Sequence, residues 1–491
     1  MTFMNALFSK MFLRRFAMLT FILGLIILIV GGALYGRLCE KVMRPSDSVT
    51  PAISMRDDVD FVPMGKWRNS LIELLNIAGT GPILGPIQGI LFGPIAFITI
   101  PIGCVIAGAF HDYMVGMISM RNKGEQTPDL VRRFLGNHIY RIYNIFVCLL
   151  MLLVGVVFIY TPGDLFVTQI LSQDSSPSNP TIWIVYGVIF FYYILATLFP
   201  IDKIIGKIYP IFGAILLLSA VGVFAGLFVK GYPLVELWDV AKSSYPYQTN
   251  FIPIFFVTVT CGICSGFHST QATLVSRTVK SEHDGRTTFY NMMIAEGFIA
   301  MTWAAAAMGA LNLGLTTSDT LLSQATLVVG IVAKDMLGTV GGIIAIIGVI
   351  ILPVTSGDTA LRALRLMIGD ALHIDQTKKQ KALPLAICIF IVVGILLFWA
   401  KANPAGFGIV WRYFSWANET TVVFVFAMII AYMKKNNMPY VMALIPFTFY
   451  LFVVSSYILN AHIGFNLPWT ISYIAAAVIT CGLVGLVAKK S

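Results

Sequence analysis

Charge is what this sequence has least of. Only 11% of its 491 residues are Asp, Glu, Lys or Arg, whereas a soluble domain carries about a quarter. A surface that faces water throughout is therefore excluded. The seven cysteines (Cys39, Cys104, Cys148, Cys261, Cys264, Cys388 and Cys481) are odd in number and sit mostly inside apolar segments, so no disulfide scaffold is expected. No Walker, H-E-x-x-H or Gly-x-Ser-x-Gly motif occurs, which argues against an ATP-driven pump and against an intramembrane enzyme. No Ser/Gly-rich linker or charge run marks off a soluble domain. The formal net charge of +10 is not clustered with aromatics, so no nucleic-acid partner is expected.

Apolar runs are abundant instead. Segments near the 20 residues needed to cross a bilayer fall at 16–36, 68–90, 92–120, 139–160, 182–199, 206–229, 250–275, 287–312, 338–361, 383–400, 413–433, 438–459 and 467–488. An all-α membrane protein of about thirteen spans in one transmembrane domain is expected, with the lipid bilayer as its surroundings. Lys10, Arg14 and Arg15 precede the run Phe16–Tyr35, which is too long for a signal-peptide core and reads as a retained helix. Alternate loops divide 25 of the 33 Lys and Arg to one side. Positive residues stay cytoplasmic, so the amino terminus is expected outside and the carboxyl terminus inside.

Two segments resist a smooth helix. In the first, Gly79, Gly81, Pro82, Gly85 and Pro86 fall within eight residues. Pro82 removes a donor and crowds the carbonyl of Ala78. Unpaired backbone is costly in hydrocarbon and persists only against protein or a polar cavity. Gly81, Gly85 and Gly89 also form a small-residue ridge suited to close packing. The second segment, 250–275, contains Gly262, Ser265, Gly266, His268, Ser269 and Thr270, again dense in polar and flexible residues. The spacing Cys261-x-x-Cys264-x-x-x-His268 is weak as a metal signature, and no metal or cofactor is expected. Ala78, Gly79, Thr80, Gly81, Gly262, Ser265, Gly266 and His268 are the candidate substrate-binding residues.

Five spans separate the breaks. Transporters of the LeuT type begin each five-helix inverted repeat with a discontinuous helix. The expected arrangement is one helix at 16–36, repeats at 68–229 and 250–433, and two helices over 438–488. Acids inside the apolar segments are functional candidates by default. Asp358, amid Thr355, Ser356 and Thr359, is the leading cation or proton group. Asp112 (beside His111) and Glu296 are further candidates; Arg362 lies one turn from Asp358, so a purely structural ion pair is the alternative for that acid. Glu73 lies just inside its segment. A membrane sensor or channel is the competing class.

Colinear stretches resemble the carbon starvation protein A (CstA) family: IAGTGPILGP at 77–86, AGAFHDYMVGMISMRNKG at 107–124, CGICSGFHS at 261–269, AEGFIAM at 295–301 and TSGDTALRALR at 355–365. The resemblance implies a secondary transporter of the bacterial cytoplasmic membrane. It implies import of peptides, or of pyruvate in some members, coupling to protons, and a role under carbon limitation. The match departs from the family pattern at Glu73-Leu74, where a His-Phe pair is expected, and at Thr270-Gln271-Ala272-Thr273 after His268. Both departures flank the candidate cavity and bear on substrate more than on fold.

Overall fold

The computed structural model describes residues 18–57, 60–198, 202–242, 251–372, 374 and 379–489. The charged amino-terminal residues Lys10, Arg14 and Arg15 lie outside this range. The chain is helical almost throughout: α1 Leu19–Met43, α2 Lys66–Ile77, α3 Gly81–Gly89, α4 Ala96–Arg121, α5 Thr127–Leu135, α6 Asn137–Leu165, α7 Pro180–Leu198 and α8 Asp202–Val229. It continues with α9 Phe251–Val259, α10 Gly266–Ser276, α11 Asn291–Asn312, α12 Ser318–Ser323, α13 Ala325–Ala371, α14 Lys379–Ala402, α15 Gly406–Lys435, α16 Val441–Asn460 and α17 Trp469–Lys489.

Among the described residues, ten helices are long and apolar enough to cross a membrane, and the bent pair α2–α3 makes eleven. Two shorter apolar helices cover Pro180–Ala196 and Gly213–Val229. Burial separates the centre from the rim. In the most apolar windows of Phe251–Ser276, Glu282–Asn312 and Gly406–Lys435, 78% of residues are buried by protein, against 17% in Trp469–Lys489. The rim helices turn large apolar side chains outward, among them Leu34, Ile395, Phe398 and Leu486, as a lipid-facing surface requires.

Two segments differ from the sequence expectation. Helix α6 does not stop at residue 160 but runs through Pro162 to a wide turn at Phe166–Ile170. The apolar side chains Leu165 and Val167 are buried there, and their packing holds the extra turns in place. Helix α13 begins well before 338 and is kinked at Gly338 (φ +70°), a left-handed conformation that only glycine adopts without strain. Helix α4, expected as one span over 92–120, is continuous through Pro101 and contains a wide turn at Cys104–Gly108.

One end of the bundle gathers basic side chains in ion pairs. Arg121, at the end of α4, binds Glu282 through Nε (3.0 Å) and Nη2 (2.7 Å) and donates to the Arg44 carbonyl at 2.8 Å. Arg286 pairs with Glu40, and Arg277 Nε donates to the Gly124 carbonyl at 2.9 Å. These contacts join the end of α1, the end of α4 and the α10–α11 connection.

Candidate functional site: a cavity between two interrupted helices

The first interruption falls at Ala78–Thr80, and the chain bends by 51° between α2 and α3. Ala78 leaves helical geometry at ψ 48°. The break stops at Thr80 rather than running on to Pro86. Pro82 occupies the first turn of α3, where its missing N–H costs nothing. The second interruption spans Thr260–Ser265. A tight turn at Thr260–Gly262 is followed by extended backbone at Ser265 (φ −130°, ψ 130°). His268, expected within the break, lies instead in the first turn of α10.

The two interrupted helices touch at their breaks. A Cβ on Gly81 would lie 2.3 Å from the Cβ of Cys261, one on Gly85 2.8 Å from the Thr258 carbonyl oxygen, and one on Gly89 2.5 Å from Val259. The glycine ridge therefore packs α3 against α9, and the chain break sits at its end. Both readings of these glycines hold at once.

Asn418 of α15 supports the second break. Its Oδ1 accepts the Phe267 amide hydrogen at 2.8 Å, and its Nδ2 donates to Ser265 Oγ at 2.9 Å and Cys261 Sγ at 3.3 Å. An exposed donor at the start of a half-helix is thereby satisfied from a neighbouring helix. The sequence signal was present, since Asn418-Glu419 interrupts the apolar run 413–433, but neither residue was among the sequence candidates.

A small cavity of about 20 Å³ lies between the breaks, lined by Asn76, Gly79, Gly81, Ser265, His268 and Ser356, with Phe158, Phe267 and Phe414 as apolar walls. That is room for one or two waters. Thr80 is fully buried, and its hydroxyl has no hydrogen-bond partner. Ala78 is buried beside it. Gly262 packs on Pro86 and Ala300, and Gly266 on Thr421 and Asn418, so these two shape the break rather than line the cavity.

Behind His268 runs a buried acid–imidazole chain. Asp112 Oδ1 meets His111 Nδ1 at 2.7 Å, and Asp112 Oδ2 meets His268 Nδ1 at 3.2 Å. His268 Nε2 faces Glu296 Oε1 at 3.6 Å, an ion-pair distance. All four residues are at most 1% exposed. His268 is thus the one member that also lines the cavity. The carboxyl groups of Glu73 and Glu296 are buried and make no hydrogen bond, an expensive state unless a proton or cation is shared with them.

The α13 candidates divide. Ser356 lines the cavity. Asp358, two residues on, turns away to α7, where Tyr192 Oη donates to its Oδ2 at 2.7 Å, and Thr359 Oγ1 donates to its Oδ1 at 2.9 Å. Thr359 itself is exposed. Arg362 donates to the Ala196 carbonyl at 2.6 Å. The side chain of Thr355 lies outside the described residues. Among the described residues no group of three or more His, Cys, Asp and Glu is arranged for a metal ion.

A buried ion pair at the far end of α6 was not foreseen. Lys401 Nζ donates to both oxygens of Asp164 at 2.8 and 3.0 Å, and Tyr186 Oη donates to Oδ1 at 2.6 Å. The ammonium lies 4.8 Å from the Tyr160 ring. Residues 164 and 401 are far apart in sequence, and each looked like a loop residue beyond the end of its span.

The fold is shared with a solved manganese transporter of Eremococcus coleocola, at TM-score 0.51 and 12% identity over 87% of this chain and 95% of that one. Together with its two touching helix breaks, this places the protein among polytopic membrane proteins of a transporter fold. The family model for carbon starvation protein CstA matches residues 16–226 and 163–329, and the chain belongs to that family. A Haemophilus influenzae membrane protein is 39% identical over 337 residues, covering 59% of this chain and 91% of that protein. The peptide transporter CstA of Mycobacterium tuberculosis is 39% identical over 111 residues, covering 22% of this chain and 15% of its own length. The peptide transporter CstA of Helicobacter pylori is 24% identical over 340 residues, covering 56% and 48%. The chain thus spans about half or less of these two proteins named as peptide transporters.

Proposed function

We propose that this chain is a secondary active transporter of the bacterial cytoplasmic membrane that imports peptides, with a proton or sodium gradient as the driving force. The observation that carries the reading is the meeting of two helix breaks at one buried cavity. Half-helix amino termini at Gly81 and Gly266 supply N–H groups and a positive dipole end suited to a substrate carboxylate. Ala78, Gly79, Thr80 and Gly81 face Gly262, Ser265, Gly266 and His268 as the binding segments. The thirteen-span, five-plus-five inverted-repeat arrangement belongs to this proposal. It takes α2–α3, α4, α6, α7 and α8 as one repeat and α9–α10, α11, α13, α14 and α15 as the other. Its support is that each set opens on an interrupted helix.

Coupling is assigned first to Asp112 and Glu296, because His268 links both to the cavity. Asp358, with Ser356, Thr355 and Thr359, is the second coupling group. An amino terminus outside and carboxyl terminus inside accords with the basic residues paired at the Arg121 end.

The cavity size supports a second reading. Pockets that hold ligands of drug size begin at about 300 Å³, so a dipeptide requires the breaks to separate far more than a three-carbon acid does. Pyruvate or an amino acid is the alternative substrate. Proteoliposome uptake of labelled dipeptide and labelled pyruvate, with proton and sodium gradients imposed separately, decides among them. Gradient-driven accumulation of the dipeptide is expected, and accumulation of neither compound would overturn the assignment.

A further inference from the structure

Glu419 lies on α15, next to the asparagine that caps the second break. Its side chain is fully buried, and neither carboxyl oxygen makes a hydrogen bond by ordinary distance and angle. The polar side chain beside it is Thr260, the first residue of the interrupted segment. That hydroxyl has one hydrogen and lies within donor distance of the carbonyls of Phe256 (3.0 Å) and Val257 (3.2 Å). With its hydrogen given to either carbonyl, Thr260 turns lone pairs toward the carboxyl group. The titratable groups near Glu419 are Cys261 and Cys264 of the break and Tyr450 and Tyr457 of α16, none of them basic. Among the described residues, no charged side chain of α4, α6, α10 or α14 acts on it.

An ionised carboxylate facing a hydroxyl lone pair in a dry interior is repelled and unsolvated. A carboxylic acid in the same place has a hydrogen to give. We propose that Glu419 is a proton-binding site: its acid O–H donates to Thr260 Oγ1, which in turn donates to the Phe256 carbonyl. The proton is thereby shared between a continuous helix and an interrupted one. Movement of α9 away from α15 would remove the acceptor and favour release. Ser415 and Trp411, one and two turns earlier on the same face of α15, carry the next buried polar atoms without partners. The polar line from Glu419 thus runs toward the helix end at Gly406. This role rests on the transport reading above, but proton occupancy can be measured without transport.

The test is infrared difference spectroscopy of the purified full-length protein at neutral pH, wild type minus Glu419→Gln. A carboxylic-acid C=O band in the difference is expected. A pair of carboxylate stretching bands in its place would overturn the proposal. Thr260→Val is the second variant: the acid band should move to higher frequency as its hydrogen bond is lost, and an unmoved band would overturn the Thr260 pairing. In proteoliposomes, Glu419→Gln should lose proton-driven accumulation of labelled dipeptide while retaining dipeptide exchange, and unimpaired accumulation would overturn the coupling role. Absence of any uptake by wild type would instead count against the transport reading, leaving the infrared result to decide Glu419.

Discussion

Asn418 Oδ1 accepts the amide hydrogen of Phe267 at 2.8 Å, across the boundary between a continuous helix and an interrupted one. The break in α9–α10 is thus held by a side chain 151 residues away, not by its own backbone. Replacing Asn418 with Leu should leave the Phe267 donor and the Ser265 hydroxyl unpaired, at about 1–3 kcal/mol of stability. Asn418→Asp keeps the acceptor and should lose less of the Phe267 bond. Thermal unfolding in detergent ranks the three proteins.

Gly266 admits no side chain. A Cβ there would sit 1.7 Å from Thr421 Oγ1 and 2.5 Å from the Asn418 carbonyl oxygen. Gly266→Ala should cost about 1–3 kcal/mol by overpacking. Gly482→Ala meets nothing within 4 Å and should be neutral, or stabilising by up to about 1 kcal/mol through helix propensity. Folded yield and melting temperature separate the two.

The pair Lys401–Asp164 is a buried tie between α14 and α6. Lys401→Met leaves Asp164 buried without its counter-ion and should cost about 3–5 kcal/mol. Replacing both partners with apolar residues should cost much less. A double-mutant cycle on unfolding free energy measures the coupling.

Asp112→Asn removes the charge that two imidazoles share. Gradient-driven accumulation of dipeptide should fall sharply, while exchange of labelled for unlabelled substrate persists. Asp358→Asn, assayed in the same way, tests the second coupling group. Accumulation equal to wild type in either variant removes that residue from coupling.

Much of the membrane architecture could be read from the residues, because apolar length and Gly/Pro density are local signals. Gly79–Pro86 and Gly262–His268 were placed to within a few residues of the interruptions. The error came from proline position: Pro82 tolerates the first turn of a helix, so α3 starts before it rather than after it. The partners that complete the site were not readable. Asn418 and the Asp164–Lys401 pair gain their places from contacts across more than 100 residues of sequence. No period or spacing encodes such contacts. The direction of Asp358 was equally hidden, since placing Ser356 toward the cavity and Asp358 toward Tyr192 depends on the rotation of α13.

The most direct test of the paired-break site is the reactivity of Cys261, which lines the cavity and contacts Gly81. The closed cavity holds no more than water, so a small maleimide should reach the buried thiol only where the breaks part. In a variant retaining Cys261 as its single cysteine, that modification should block uptake of labelled dipeptide, and excess unlabelled dipeptide should slow it. Modification of Cys261 with uptake unchanged, or at a rate that dipeptide does not alter, would contradict the account.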